Sequence, residues 1–120
     1  MAAVTPLSDG KSINGIVNCI LKNTDSIDLY ALSTAISSGT PTHTVKIVSL
    51  HWRTDSTGMT VTYSGGTLNL FGGGTWTRFN GFDGILSSGT GAAGDISVAG
   101  NGTLYITVKK VAGYESAPVI

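Results

Sequence analysis

Apolar and polar residues alternate along much of the chain, and this period of two is the pattern of half-buried β-strands. In "GTLYITVKK", Leu104, Ile106 and Val108 share one face, while mostly polar residues occupy the other. Three further runs predict strands in the same way: "GMTVTYSGG" with the "TLNLF" that follows it, "SIDLYALSTAI" and "GDISVAG". The pattern therefore predicts an all-β protein.

The run "THTVKIVSLHWRT" departs from simple alternation. Val45 and Ile47 lie on one face of an extended chain, whereas Val48, Leu50 and Trp52 lie on the other. A strand that is apolar on both faces is typical of the centre of a sheet or of a bulge. We expect this strand to be central, bent or bulged.

The segment "SINGIVNCILKN" is compatible with two secondary structures. Its apolar residues fit the spacing of an amphipathic helix: Ile13, Ile16, Val17, Ile20 and Leu21. Gly15 and the β-branched residues disfavour a helix, and a strand would place Val17, Cys19 and Leu21 together on one face. We favour the strand, with the helix as the alternative.

Glycine separates many of these runs, because it adopts positive φ without steric cost. Ser64, Gly65 and Gly66 predict a hairpin turn, and "NGT" at residues 101–103 predicts a second glycine turn. The expected fold is an antiparallel β-sandwich, jelly-roll-like, with short glycine-rich turns. The expected organisation is an N-terminal arm at 1–11, a single domain at 12–112 and a C-terminal tail at 113–120.

Composition narrows the classes of partner. The 120 residues are 41% hydrophobic and 12% charged, with a formal net charge of zero. A neutral chain lacks the basic field that gathers phosphates, so we expect no nucleic-acid partner. No apolar run reaches the roughly 20 residues that span a bilayer, and the first residues lack a signal-peptide pattern. We expect no membrane partner and synthesis in a cytoplasm.

The residues that commonly carry chemistry are few and dispersed. Cys19 is the single cysteine, so it can form no intramolecular disulfide and is expected to be a small buried hydrophobe. His43 and His51 are expected to be structural, at the surface or half-buried. The seven acidic residues are scattered among turns. The sequence thus predicts no catalytic, cofactor-binding or metal-binding residues, and a protein that is not an enzyme.

Aromatic residues near arginines and an apolar C-terminal stretch are the candidate contact residues. Aromatic and Arg side chains are enriched in protein interfaces, and an aromatic platform can also stack on a sugar ring. Burial in the core is the third interpretation. The candidates are Trp52, Arg53, Trp76, Arg78, Phe79, Phe82, Pro118, Val119 and Ile120.

Four segments, taken in order, resemble capsid decoration (cement) proteins, which are small virion proteins of tailed phages: "GKSINGIVNCILKN", "HTVKIVSLHWRT", "GMTVTYSGGTLNLFGGG" and "AAGDISVAGNGTLYITVKKV". The resemblance covers roughly residues 10 to 112 and lies in the strand order, the Trp on the middle strand and the closing strand that ends in lysines. The middle of this chain is shorter and richer in glycine than the family pattern.

The resemblance implies a non-enzymatic structural role on the outside of an icosahedral shell. Such proteins commonly sit as trimers at symmetry axes and hold neighbouring capsomers against internal DNA pressure. It implies the major capsid protein and further copies of the chain, as a homotrimer, as partners, with no cofactor. The expected location is the virion capsid surface, after synthesis in the host cytoplasm. The alternative is a carbohydrate-binding module or tail-associated adhesin domain whose partner is a glycan.

Overall fold

A computed structural model describes residues 2–11, 13–39 and 41–115, and it confirms the predicted all-β class. Two 3₁₀ helices, at Leu29–Ala31 and Arg78–Asn80, interrupt the strands. The strands are β1 (Ala2–Ala3), β2 (Ser8–Asp9), β3 (Ile16–Lys22), β4 (Asp25–Ile27), β5 (Thr42–Tyr63), β6 (Gly66–Leu70), β7 (Gly73–Trp76), β8 (Ile85–Thr90) and β9 (Ile96–Ala112).

The two long strands, β5 and β9, form the centre of the sheet and run antiparallel. On the side away from β5, β9 pairs with β3 and β4. On the side away from β9, β5 pairs with β8, β7 and β6. Strand β2 extends the sheet beyond β3, and β1 adds to β4 in the parallel sense. All these strands belong to one hydrogen-bonded sheet, so the two-sheet, jelly-roll-like sandwich is not confirmed.

The central strands are sharply bent. The 22 residues of β5 would extend about 70 Å at the usual rise per residue, yet the longest dimension of the molecule is 43 Å. The pairing register shifts at three places: between Thr44 and Val45, between Ile47 and Ser49, and between Thr54 and Met59. At the last of these shifts, Gly58 (φ 78°) lies beside Gly100 (φ 128°). The expectation of a bent or bulged strand is therefore confirmed.

One hydrophobic core receives side chains from both halves of the bent sheet. Val45 and Ile47, before the bend, and Met59 and Val61, after it, belong to the same buried cluster. Alternation fails at the bulge, where Val48 is half-buried and Leu50 takes the inward position. The bend thus lets a single sheet enclose its own apolar face.

Strand β3 resolves the ambiguity between strand and helix in favour of the strand. Val17, Cys19 and Leu21 are fully buried and alternate with more exposed residues. Burial raises the pKa of the Cys19 thiol to about 11, so this residue is a small buried hydrophobe, as predicted. The hairpin is also confirmed, because Tyr63 pairs with Gly66 across a turn at Ser64 and Gly65.

Two local predictions were wrong. Residues 101–103 form no turn between strands, because β9 passes through them and joins "GDISVAG" to "GTLYITVKK" as one strand. The run "SIDLYALSTAI" is extended only at β4. Asp28 then caps the 3₁₀ helix Leu29–Ala31, since its carboxylate accepts a hydrogen bond from the Tyr30 amide at 3.0 Å.

A buried lysine fastens the N-terminal residues to the end of β9. The Lys110 side chain is fully buried, and its Nζ donates to Asp9 Oδ1 at 2.6 Å, to Gly10 O at 2.5 Å and to Ser33 O at 2.6 Å. The Tyr114 ring lies 5.1 Å from the same Nζ. Residues of the expected N-terminal arm are therefore paired with the sheet through β1, β2 and this ion pair, while the division at 12 and 112 stays a prediction.

Candidate functional site

The connection between β7 and β8 holds a capped 3₁₀ helix at the surface. Thr77 precedes this helix and its Oγ1 accepts a hydrogen bond from the Phe79 amide at 3.2 Å. Asn80 Oδ1 accepts from the Thr77 amide at 2.6 Å, and Asn80 Nδ2 donates to Thr75 O at 2.6 Å. Gly81, at φ 93°, ends the helix. This reciprocal capping fixes the helix with few residues.

Phe79 projects from this helix into solvent. Its side chain is 87% exposed, the highest value among the large hydrophobic residues that the structure describes. The guanidinium carbon of Arg78 lies 5.1 Å from the centroid of the Phe79 ring, within range of a cation–π interaction. An apolar ring is thus presented to solvent from a fixed position.

A pocket opens beside this helix, between the bulge of β5 and the residues that precede β8. Its volume is about 240 Å³, below the roughly 300–1,000 Å³ of small-molecule sites. Such a volume suits a side chain better than a cofactor. The residues that line it are Lys46, Val48, Arg78, Phe82, Asp83 and Gly84. We refer to these residues together with Trp76 and Phe79 as the Phe79 patch.

The floor of the pocket is apolar and its rim is charged. Phe82 is buried and stacks on Trp76, with ring centroids 4.3 Å apart and planes at 33°. The stem of Lys46 lies directly against Gly84, where a side chain would collide with it. Across residues 2–11, 13–39 and 41–115, the single ion pair is Lys110 with Asp9. The cations Lys46 and Arg78 therefore have no carboxylate partner within that part of the chain.

The structure separates the predicted contact residues into groups. Trp76, Arg78, Phe79 and Phe82 come together in the Phe79 patch, although Phe82 is buried and supports the pocket from beneath. Arg53 is exposed and lies away from the patch, at a strand position paired with Thr103.

Trp52 does not join the patch. Trp52 is half-buried, its ring packs over Gly74, and its Nε1 donates to Phe71 O at 3.2 Å. The prediction that Pro118, Val119 and Ile120 are contact residues falls outside the described residues.

The two histidines occupy different environments. His43 is fully buried, which corrects the expectation of a surface or half-buried residue. Its Nε2 lies 3.0 Å from Ile36 O, and its ring contacts Tyr30 and Tyr114, while none of the described residues provides a hydrogen-bond partner for Nδ1. His51 is exposed and its Nδ1 lies 2.5 Å from Thr75 Oγ1.

Neither a metal-binding cluster nor a membrane-spanning helix occurs within the described residues. Over 2–11, 13–39 and 41–115, no group of three or more His, Cys, Asp or Glu side chains could hold a metal ion. Within the same ranges, no helix has the length and apolarity needed to cross a membrane.

Sequence reasoning missed the other residues of the pocket: Lys46, Val48, Asp83 and Gly84. Val48 carried a signal, because it breaks the alternation of β5 and so marks the bulge that opens the pocket. Lys46 and Asp83 carried none, since they meet only through the pairing of β8 with β5.

Comparisons with known proteins found no match to this chain. No family model matches the chain, and neither the curated proteins nor the solved structures contain a match. The functional interpretation therefore rests on the residues, their geometry and the sequence resemblance described above.

Proposed function

We propose that this protein is a non-enzymatic structural virion protein that decorates and stabilises an icosahedral phage capsid. It binds the major capsid protein as a homo-oligomer, with a homotrimer as the expected form, on the capsid surface after synthesis in the host cytoplasm. The observation that carries the proposal is the Phe79 patch. Its exposed ring and the pocket beside it, with an apolar floor and a charged rim, supply the kind of anchor that dominates protein interfaces. The resemblance of the strand order to decoration proteins supplies the partner.

The physical properties of the molecule suit repeated attachment to a shell. A capped helix loses little conformational entropy when it binds. The free energy of its contacts therefore appears largely as binding affinity. The formal net charge is zero, which limits repulsion between copies packed closely on one surface. When each oligomer touches several shell subunits at once, modest individual contacts combine into stable attachment.

The test is co-sedimentation of the purified protein with empty shells of the phage that encodes it. We expect the wild type to pellet with the shells. Phe79→Ala should weaken binding at least tenfold, as expected for an anchor worth more than about 1.4 kcal/mol. Tyr105→Ala is the matched control, because Tyr105 is also exposed, at 46%, but lies on β9 outside the patch. A wild-type protein that stays in the supernatant would contradict the proposal.

A carbohydrate-binding module or tail-associated adhesin domain is the second candidate function, and the same exposed ring favours it. A sugar ring could stack on Phe79, with Arg78 and Asn80 beside it as polar groups. Trp76 is half-buried against Phe82 and offers less surface for stacking. Glycan-array binding that is lost in both Phe79→Ala and Trp76→Ala, with thermal unfolding unchanged in Phe79→Ala, would support this candidate over the shell protein.

A further inference from the structure

A second exposed aromatic ring lies at the bend of β5. Phe71 follows β6 and is 65% exposed. Its ring lies against Gly58, where a Cβ would be 2.6 Å from Phe71 Cδ1. The Thr54 amide donates to Gly72 O at 2.6 Å, which fixes the residue after Phe71 to the same bend. Phe71 is therefore held outward by backbone contacts.

A carboxylate accompanies this ring. Asp55 is exposed, and its Oδ1 accepts hydrogen bonds from the Thr57 hydroxyl at 2.6 Å and the Thr57 amide at 2.9 Å. These bonds from Thr57 lower the pKa of Asp55, so the group is ionised at neutral pH. We call Asp55, Gly58 and Phe71 the Phe71 knob. It combines an apolar ring with a negative charge that has no ion-pair partner over the ranges the structure describes.

The Phe79 patch has the complementary chemistry. Its pocket has Val48 and Phe82 as apolar lining. Two cations, Lys46 and Arg78, and one carboxylate, Asp83, supply its charged lining, which is therefore net positive. We propose that the pocket receives the Phe71 knob of a second copy of this chain, with the Phe71 ring in the pocket and the Asp55 carboxylate beside Arg78 and Lys46. This inference rests on the proposed function, and it names the surfaces that join the copies of the homo-oligomer.

The knob cannot fill the pocket of its own chain. Asp55 and Val48 are seven residues apart on the same strand, which corresponds to about 20 Å at the usual strand rise. The paired strands β6, β7 and β8 hold both ends in place. The contact is consequently head-to-tail, and copies related by a closing rotation form a ring. A stable protein–protein interface buries about 800 Å² of accessible surface on each partner. The contact between two copies must therefore extend beyond the pocket and include Phe79.

Charge exchange between the two surfaces tests the contact. Size-exclusion chromatography with light scattering should show a defined oligomer for the wild type. Arg78→Glu and Asp55→Arg should each weaken self-association at least tenfold, and the double variant should restore it because the opposite charges are exchanged. Asp55→Asn keeps an acceptor for Thr57 while it removes the charge, so it should weaken association at least tenfold with only a small decrease in thermal stability. Lys11→Glu is the control for an exposed cation that belongs to neither surface.

The outcomes separate this inference from the proposed function. A wild-type oligomer that survives Arg78→Glu, Asp55→Arg and Phe71→Ala would overturn the knob-in-pocket contact and leave shell binding intact. Wild-type protein that is monomeric at all concentrations yet pellets with shells would also overturn it. Weaker self-association in Arg78→Glu and in Asp55→Arg, with recovery in the double variant, would establish the knob-in-pocket contact. Failure to pellet with shells, with the oligomer and its charge dependence present, would remove the shell function alone.

Discussion

The buried ammonium of Lys110 would be destabilising without partners, but its hydrogen bonds connect distant parts of the fold. A buried ammonium without partners costs several kcal/mol, yet Lys110 Nζ is surrounded by Asp9 Oδ1, Gly10 O and the backbone and side-chain oxygens of Ser33. These acceptors replace the water that burial removes. Asp9 also accepts from the Ser33 amide at 2.8 Å, so the ammonium joins three separate parts of the chain.

Removal of the Asp9 carboxylate should be strongly destabilising. Asp9→Ala leaves the Lys110 charge buried without its counter-ion, and we expect the free energy of unfolding to fall by about 3 kcal/mol, the lower end for such pairs because Asp9 keeps some solvent exposure. Urea unfolding at neutral pH measures the loss. Asp9→Ala/Lys110→Met should recover part of it, since no unpaired charge remains. A loss no larger than that of the exposed Asp55→Ala would contradict this account.

The same pair predicts acid sensitivity. Burial opposes ionisation of Asp9, but hydrogen bonds from Lys110 and Ser33 outweigh it and lower the Asp9 pKa below 3.8. A lowered folded-state pKa stabilises the protein above the unfolded value, and this contribution is lost as the pH falls through the folded-state value. The free energy of unfolding of the wild type should therefore fall more steeply below pH 3.8 than that of Asp9→Asn. Parallel pH profiles for the two proteins would show that Asp9 makes no such contribution.

At the residue level, alternation predicted most of the buried positions but not their chemistry. Lys110 lies on the same inward face of β9 as Leu104, Ile106 and Val108, because it follows them at the same spacing of two residues. This spacing was the one signal in the sequence that Lys110 is buried. Its partners Asp9 and Ser33 are 101 and 77 residues away in the chain, so no local pattern could identify them. His43 was misjudged for the same reason, because Tyr30 and Tyr114 reach it from distant segments.

The bend in β5 and β9 is the element that gives the sheet an interior. Gly58 and Gly100 meet there with positive φ, a conformation that glycine adopts without the strain of a Cβ. A Cβ on Gly100 would lie 2.5 Å from Gly58 O and 2.9 Å from Met59 Cα. Two backbones therefore approach each other more closely than any other residue type would allow.

Gly100→Ala should destabilise the protein far more than Gly91→Ala. Both glycines have positive φ, at 128° and 63°, but a Cβ added to Gly91 would meet nothing within 4 Å. Gly91→Ala should cost about 1–2 kcal/mol from backbone strain, and Gly100→Ala an additional roughly 1–3 kcal/mol from overpacking against backbone. Thermal and urea unfolding of the two variants give the difference. Equal losses would mean that the bend relaxes around the new methyl group.

At the element level, periodicity predicted strand existence better than strand continuity. The alternation of β3 correctly favoured a strand over a helix, because only a period of two places Val17, Cys19 and Leu21 together. The glycine near residue 101 predicts a turn by its sequence pattern, whereas the glycines there bend one strand that stays paired with β5. A glycine allows both outcomes, and the register of the neighbouring strand decides between them.

At the scale of the whole molecule, the fold depends on contacts between distant parts of the chain. Thr44 pairs with Ala112, and Thr62 pairs with Ser97. Such pairings require long loops to close, at a cost in chain entropy, before the stabilising contacts can form. All-β domains with many of these contacts therefore fold in milliseconds to seconds. Stopped-flow refolding followed by tryptophan fluorescence should show a relaxation on that scale. A microsecond relaxation would mean that local structure, not the β5–β9 pairing, limits the rate.

The exposed Ser64–Gly65 turn separates β5 from β9 in the sequence although the two strands form the centre of the sheet. A cut at that turn would give one fragment with β5 and one with β9, and neither could enclose an apolar interior alone. We expect each fragment to be unfolded by circular dichroism and the mixture to regain the β spectrum. The protein would then serve as a split reporter whose signal depends on the association of the two fragments. A fragment that folds by itself would show that one half of the sheet is sufficient to form a stable core.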